Sequence, residues 1–176
     1  MVPRWEKPLG VKAILAIWDF KRKRFPDGRI NKHKARLCAH GGMQHYGVNY
    51  WEAYSPTVNW ISVRFLMIVA QVLELDTKAI DFVLAFPQAE LEVPVYMELP
   101  AGMDLAGHGK DSSKYLLKLK RSLYGLNQAS MNWHCKLNTA FEDRGFVESL
   151  SGPCVLIWHN LPEIGRASCR LCQGVA

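Results

Sequence analysis

The chain has 176 residues, a formal net charge of +6 and 49% hydrophobic residues, enough for one domain with a proper core or for a piece of a larger one. No stretch reaches the roughly 18 consecutive apolar residues of a membrane-spanning helix, because the apolar run from Phe65 to Leu75 is closed by Glu74 and Asp76. The N-terminus lacks the apolar core of a signal peptide, and an odd set of five cysteines suits free thiols in a reducing compartment rather than a disulfide framework.

Residues 13–20 and 29–39 predict two strands joined by Arg24-Phe25-Pro26-Asp27-Gly28, whose Pro-Asp-Gly is turn chemistry. The hairpin is basic: Lys21, Arg22, Lys23 and Arg24 run in a row, and Lys32, His33, Lys34 and Arg36 follow. Such a cluster suits polyphosphate or nucleic acid, since each neutralised phosphate releases counterions; a solvated basic hairpin is the plainer alternative. Asn59 is placed to cap a helix in which Ile61, Phe65, Ile68, Val69 and Val72 recur at helical spacing, up to about Leu75. That apolar face is expected to pack beneath a strand over Ala79-Ile80-Asp81-Phe82-Val83-Leu84-Ala85-Phe86. The strand holds a single carboxylate, and a buried carboxylate costs several kcal/mol unless it is paired, protonated or metal-bound. Asp81 therefore either caps the strand or belongs to a cation site.

Further on, Val95–Met97 predicts a short strand ended by Pro100, residues 103–113 a flexible connection, and Tyr115–Leu119 another strand. A helix from about Ala129 carries Trp133, Leu137, Ala140 and Phe141 on one face, with Gly145 as a left-handed stop before a strand at Val155–Trp158. The order hairpin, helix, strand, hairpin, helix, strand predicts an α+β fold with helices on one face of a mostly antiparallel sheet. Cys169 and Cys172 have the spacing of half a zinc site, but no second Cys or His pair stands at a suitable distance along the chain, and the six histidines show no ligand spacing.

Several blocks carry a denser signal: Asp27-Gly28-Arg29-Ile30 with Lys34-Ala35-Arg36-Leu37, Gly47 to Val58, Ile80 to Phe86, Val95 to Gly102, Lys118 to Ala129, and Arg144-Gly145-Phe146 with Gly152-Pro153-Cys154-Val155. In this order and spacing, over roughly residues 15–158, they resemble the reverse transcriptase of copia-type LTR retrotransposons. The resemblance implies the fingers and palm of a right-hand polymerase and RNA-directed DNA synthesis. In that reaction a primer 3′ hydroxyl attacks a nucleotide α-phosphate while two Mg²⁺ (or Mn²⁺) ions stabilise the attacking and leaving oxygens. It implies that Asp81 is the first metal-binding aspartate, with the backbone carbonyl of Phe82 beside the same metal. Phe86 matches the ring that lies under the incoming sugar and excludes a 2′ hydroxyl, the alternative being an ordinary core phenylalanine. Gln128 matches the glutamine that packs against the nucleotide, after a turn shaped by Tyr124-Gly125. On the hairpin, Lys21 or Lys23 and Lys34 or Arg36 are candidates for gripping the triphosphate, Arg36 foremost because its fork suits phosphate. The implied partners are an RNA template, a DNA primer, a dNTP and the integrase and RNase H regions of a Pol polyprotein, and the implied location is intracellular, a cytoplasmic particle or the nucleus, without secretion.

The chain also departs from that pattern. Asn127, Ser130 and Met131 stand where the family usually has Lys, Pro and Arg, which removes two positive charges. No Asp-Asp pair exists in the chain, so the Tyr-x-Asp-Asp strand expected after Ile157 is missing, and residues 161–176 match neither a strand nor the family. Such a tail reads as a frameshift, a foreign junction or a truncated gene. The expected organisation is an N-terminal extension at 1–12, partial fingers and palm at 13–160, truncated before the Tyr-x-Asp-Asp strand, and a tail at 161–176 outside the domain. The chain is expected to be inactive alone; the alternatives are a non-catalytic nucleic-acid-binding remnant, or a fragment destabilised by an open sheet edge.

Overall fold

The computed structural model describes residues 1–103, 111–150, 152–158 and 169–171. Its strands are β1 (Val2–Pro3), β2 (Ala16–Arg24), β3 (Ile30–Ala39), β4 (Glu90–Met97), β5 (Tyr115–Arg121), β6 (Phe146–Ser149), β7 (Gly152–Trp158) and β8 (Cys169–Leu171), and its helices α1 (Trp60–Val72), α2 (Ala85–Gln88) and α3 (Ala129–Glu142). All ladders between these strands are antiparallel. The mixed, antiparallel character expected from the sequence is therefore present, but it is divided among three small sheets, ordered β1-β5-β4, β2-β3 and β6-β7-β8. The chain forms two compact units, one of residues 1–53 with 86–132 and the other of 54–85 with 133–176.

In the first unit the β2-β3 hairpin closes as its turn residues dictate. Gly28 has φ +87°, a conformation open to glycine at no steric cost. The Asp27 carboxylate accepts from the Arg29 backbone N–H at 3.0 Å, while Phe25 N donates to Arg29 O and Gly28 N to Phe25 O, both at 2.9 Å. Strand β4 is longer than its apolar run suggests: it starts at Glu90 and passes through a register shift that contains Pro94, a residue sheets accept at such irregularities. Ile14 ties this sheet to the hairpin's base, donating to Tyr96 O at 2.9 Å and accepting from Glu98 N at 2.8 Å. Around it Ile14, Ala39, Val95, Met97, Leu126 and Ala129 form the buried core. Residues before 13 also join the sheet. Val2 and Pro3 pair with Leu116 and Tyr115, and Arg4 makes a two-pronged ion pair with Glu98 at 2.8 and 2.6 Å, which holds the guanidinium above its ordinary pKa.

In the second unit, α1 starts where Asn59 predicts. The Asn59 side chain accepts from the Ile61 N–H at 2.9 Å, and the helix ends at Val72, a turn short of Leu75. Its apolar stripe is exposed at Ile61, Phe65, Ile68 and Val72. The strand expected over Ala79–Phe86 does not form: residues 75–82 have no regular structure, and a turn at Val83-Leu84 leads into α2. An apolar run becomes a strand only if a neighbour completes its ladder, and here Leu84 lies at φ +52°, outside extended backbone, while Pro87 removes a donor. Helix α3 begins at Ala129 as expected, and Gly145 at φ +83° follows it. Phe146 then opens a strand that the sequence pattern does not announce, and β6 pairs with β7 through Phe146↔Trp158 and Val147↔Ile157. The tail is corrected at one place, because Cys169–Leu171 forms β8 against the other edge of β7, through Val155↔Leu171. The rest of residues 159–176, Cys172 included, together with 104–110 and 151, lie outside the described residues.

Replacing the cap residue, Asn59→Ala, is expected to leave the Ile61 donor unsatisfied and to lower stability by about 1 kcal/mol, read as a shift in the urea midpoint.

Candidate nucleotide and nucleic-acid interface

The hairpin's register sorts its side chains onto two faces, since directly opposed residues share a face and neighbours along a strand alternate. One face opposes Lys21 to Lys34 and Lys23 to Lys32, with Arg36 opposite Asp19; the other opposes Phe20 to Ala35, Trp18 to Leu37 and Arg22 to His33. Like charges directly across a ladder are destabilising, by a few tenths to about 1 kcal/mol per pair. The described counter-charge is small, a long Arg36–Asp19 ion pair at 3.9 Å. Lys34 is held below the ordinary lysine pKa by desolvation and by the cations Arg36, Lys23, Lys32 and Lys21. This face is thus a row of positive charge.

Arg36 is fixed at the inner end of that row. Its guanidinium lies 5.6 Å from the centre of the Tyr124 ring, and Phe86 packs on the same ring at 5.0 Å, tilted by 56°. Tyr124 therefore links two predicted site positions, Arg36 and Phe86, that lie 50 residues apart in sequence. Sequence reasoning finds it only as part of a turn, and the available signal is an aromatic immediately before Gly125. The turn is held by backbone. Tyr124 O accepts from Ala39 N at 2.7 Å, at the end of β3. Gly125 sits at φ +87°, and a Cβ there would lie 2.2 Å from Ala39 O; a Cβ on Gly41 would lie 2.1 Å from Gly125 O. Only glycines permit this approach.

Gln128, 5% exposed, has its amide committed to the protein. Its Oε1 accepts from Gln44 Nε2 at 2.9 Å and its Nε2 donates to Asn49 O at 3.2 Å, while Gln44 Oε1 accepts from Asn127 N at 2.8 Å. Gln128 still reaches a cleft of about 150 Å³ shared with Asn49, Glu92, Met131 and Asn132. Asn127, one of the departures from the family pattern, donates from its side chain to Gly41 O at 3.3 Å. Phe86 also packs against the buried core, so the core alternative describes its surroundings.

Asp81 and Phe82 belong to the other unit. Asp81 is exposed in irregular backbone, which corrects the expectation of a carboxylate set in a strand. The cost of burying its charge therefore does not arise. Phe82 is half-buried, with its ring edge-on to Trp133 at 5.2 Å. Among the described residues no three His, Cys, Asp or Glu side chains are grouped to hold a metal ion.

The family model described as reverse transcriptase (RNA-dependent DNA polymerase) matches residues 4–154. This chain belongs to the reverse transcriptase family. It is similar to the retrovirus-related Pol polyprotein from transposon TNT 1-94 of Nicotiana tabacum, 34% identical over 150 residues, which are 85% of this chain and 11% of that one. It is likewise similar to those from transposons RE2 and RE1 of Arabidopsis thaliana, 34% and 35% identical over 150 residues, 85% of this chain and 10% of each. The chain thus spans about a tenth of the length of these relatives. These names support a copia-type retrotransposon origin. No solved structure matches the chain significantly. No described helix is long and apolar enough to cross a membrane.

Two outcomes test the geometry of this interface. Gly125→Ala is expected to cost about 2–5 kcal/mol, from a left-handed residue and a forced backbone shift, measured by urea unfolding. Binding of inorganic triphosphate is expected to weaken as pH rises, with Lys34 losing its proton before an ordinary lysine. Lys34→Arg should keep its affinity to higher pH in the same calorimetric titration.

Proposed function

We propose that this chain supplies the nucleotide- and template-gripping part of an RNA-directed DNA polymerase from a copia-type retrotransposon, and that it does not polymerise by itself. The observation that carries the reading is the cationic hairpin face ending at Arg36 on Tyr124, within a chain whose residues 4–154 match the reverse transcriptase family. In this reading Lys34 and Arg36 neutralise the triphosphate of the incoming nucleotide, with Lys21 and Lys23 extending the charge along the hairpin. Phe86, backed by Tyr124, offers the ring beneath the sugar. Gln128 works chiefly through position, holding the turn and the segment around Asn49 together beside the cleft. RNA template, DNA primer and dNTP are the substrates, and the remainder of a Pol polyprotein the partner.

The family's chemistry uses divalent metal ions such as Mg²⁺, which take carboxylate oxygens. The described residues do not fit a two-metal site. Asp81 is a solitary exposed carboxylate, no acidic cluster surrounds it among the described residues, and the sequence has no Asp-Asp pair. Asp81 and the Phe82 carbonyl are assigned only as the positions that would contribute first to such a site.

A second reading, nucleic-acid binding without catalysis, is favoured by the same asymmetry between a developed cationic face and a single carboxylate. Primer extension on an RNA template with Mg²⁺ or Mn²⁺ is expected to give no product from this chain. Product that disappears in Asp81→Ala would overturn the claim of inactivity. Salt-dependent RNA binding that survives Asp81→Ala but falls in Lys34→Ala and Arg36→Ala is expected under both readings, and no binding at low salt would refute them.

A further inference from the structure

Helix α1 is apolar on two opposite sides. Val63 is buried on one side, while Trp60, Ile61, Phe65, Met67, Ile68 and Val72 lie on the other, each 62–73% exposed. Arg64 is the only charge in the 13 residues of the helix. A helix with no polar face is normally buried all round. The segment expected from the sequence to cover it is itself open, with Ile80, Val83 and Leu84 all exposed. Within the exposed face, Ile61, Phe65, Ile68 and Val72 follow one another at intervals of four, three and four residues. That is the seam of a two-helix coiled coil, narrower than the stripe a helix lays on a broad core.

We propose that this face is the contact between two copies of the chain, packed α1 against α1 about a two-fold axis. The area fits such a contact. With about 150–200 Å² for each fully open large apolar side chain, the six together present roughly 600–800 Å². A stable interface takes about 800 Å² from each partner, and monomers seldom expose apolar patches of this extent. The chemistry selects a second copy over a charged partner. One cation in the whole helix gives an acidic or basic surface little to complement, whereas an uncharged seam of branched and aromatic side chains is its own complement. In an antiparallel pair, Phe65 of one copy meets Ile68 of the other and Ile61 meets Val72, so that Arg64 is not set against itself. The proposal is independent of what the hairpin binds.

The test is sedimentation equilibrium of the whole chain over micromolar concentrations, with a thiol reductant present so that the exposed Cys135 cannot link copies. A monomer–dimer equilibrium with a dissociation constant of about 1–10 µM is expected, and high salt should not weaken it because the contact is apolar. Phe65→Asp and Ile61→Asp are each expected to weaken dimerisation by about 100-fold or more, since a two-fold axis counts every substitution twice; Phe65→Leu should stay within about tenfold. Ile61→Asp puts its carboxylate in the first turn of α1, where the helix dipole favours it, so a dimer lost in that variant is not lost through the helix. Far-UV circular dichroism checks that both Asp variants remain helical. A chain that stays monomeric throughout, or a dimer that both Asp variants leave intact, would overturn the proposal. So would open-ended assembly in place of a dimer, or a monomer that instead binds vesicles of neutral phosphatidylcholine, which would assign the face to a membrane surface.

Discussion

The close approach of two backbones, at Gly41 and Gly125, is the constraint from which the organised part of this molecule follows. The end of β3 and the turn before α3 meet at a separation that leaves no room for a Cβ on either glycine. The contact is sealed by Ala39 donating to Tyr124 O and by Asn127 reaching Gly41 O. With the turn set, Tyr124 projects where Arg36 and Phe86 can both reach its ring, and Gln128, four residues later, ties Gln44 to Asn49. The proposed site positions 36, 86 and 128 thus lie around the turn that this backbone contact holds. Asn127 has a structural role here, since its side chain donates to Gly41 O at 3.3 Å.

The hairpin is built against its own stability. Three cross-strand pairs, Lys21↔Lys34, Arg22↔His33 and Lys23↔Lys32, put basic groups opposite one another. The turn offsets part of this, since Asp27 accepts from the Arg29 backbone and side chain and Gly28 takes the left-handed conformation. A hairpin selected for stability alone would alternate charge across the ladder. The anion binding proposed for the hairpin would relieve that repulsion.

The second unit is organised by different contacts. Phe82 against Trp133 and Phe146 between Phe141 and Trp158 provide its aromatic packing. The exposed stripe on α1 and the irregular backbone at Asp81 have a common physical basis. An amphipathic helix and an apolar run each need a partner surface, and among the described residues no strand forms over 79–84 to provide it.

Local chemistry was legible in the sequence. Pro-Asp-Gly set the hairpin turn, Asn59 the start of α1, and the 3.6-residue spacing of Trp133 and Leu137 the existence of α3, because caps, turns and periodicity act within a few residues. The ordered motif blocks sufficed to recognise the reverse transcriptase family. That the strand predicted at Ala79–Phe86 does not form was not legible, nor were β6 and β8, because a strand exists only when another segment completes its hydrogen bonds. Tertiary structure alone decided that Arg36 and Phe86 meet on Tyr124, that Gln128 spends its amide on Gln44 and Asn49, and that Asp81 is exposed. Those outcomes depend on which distant backbones approach each other, and sequence spacing does not encode that distance.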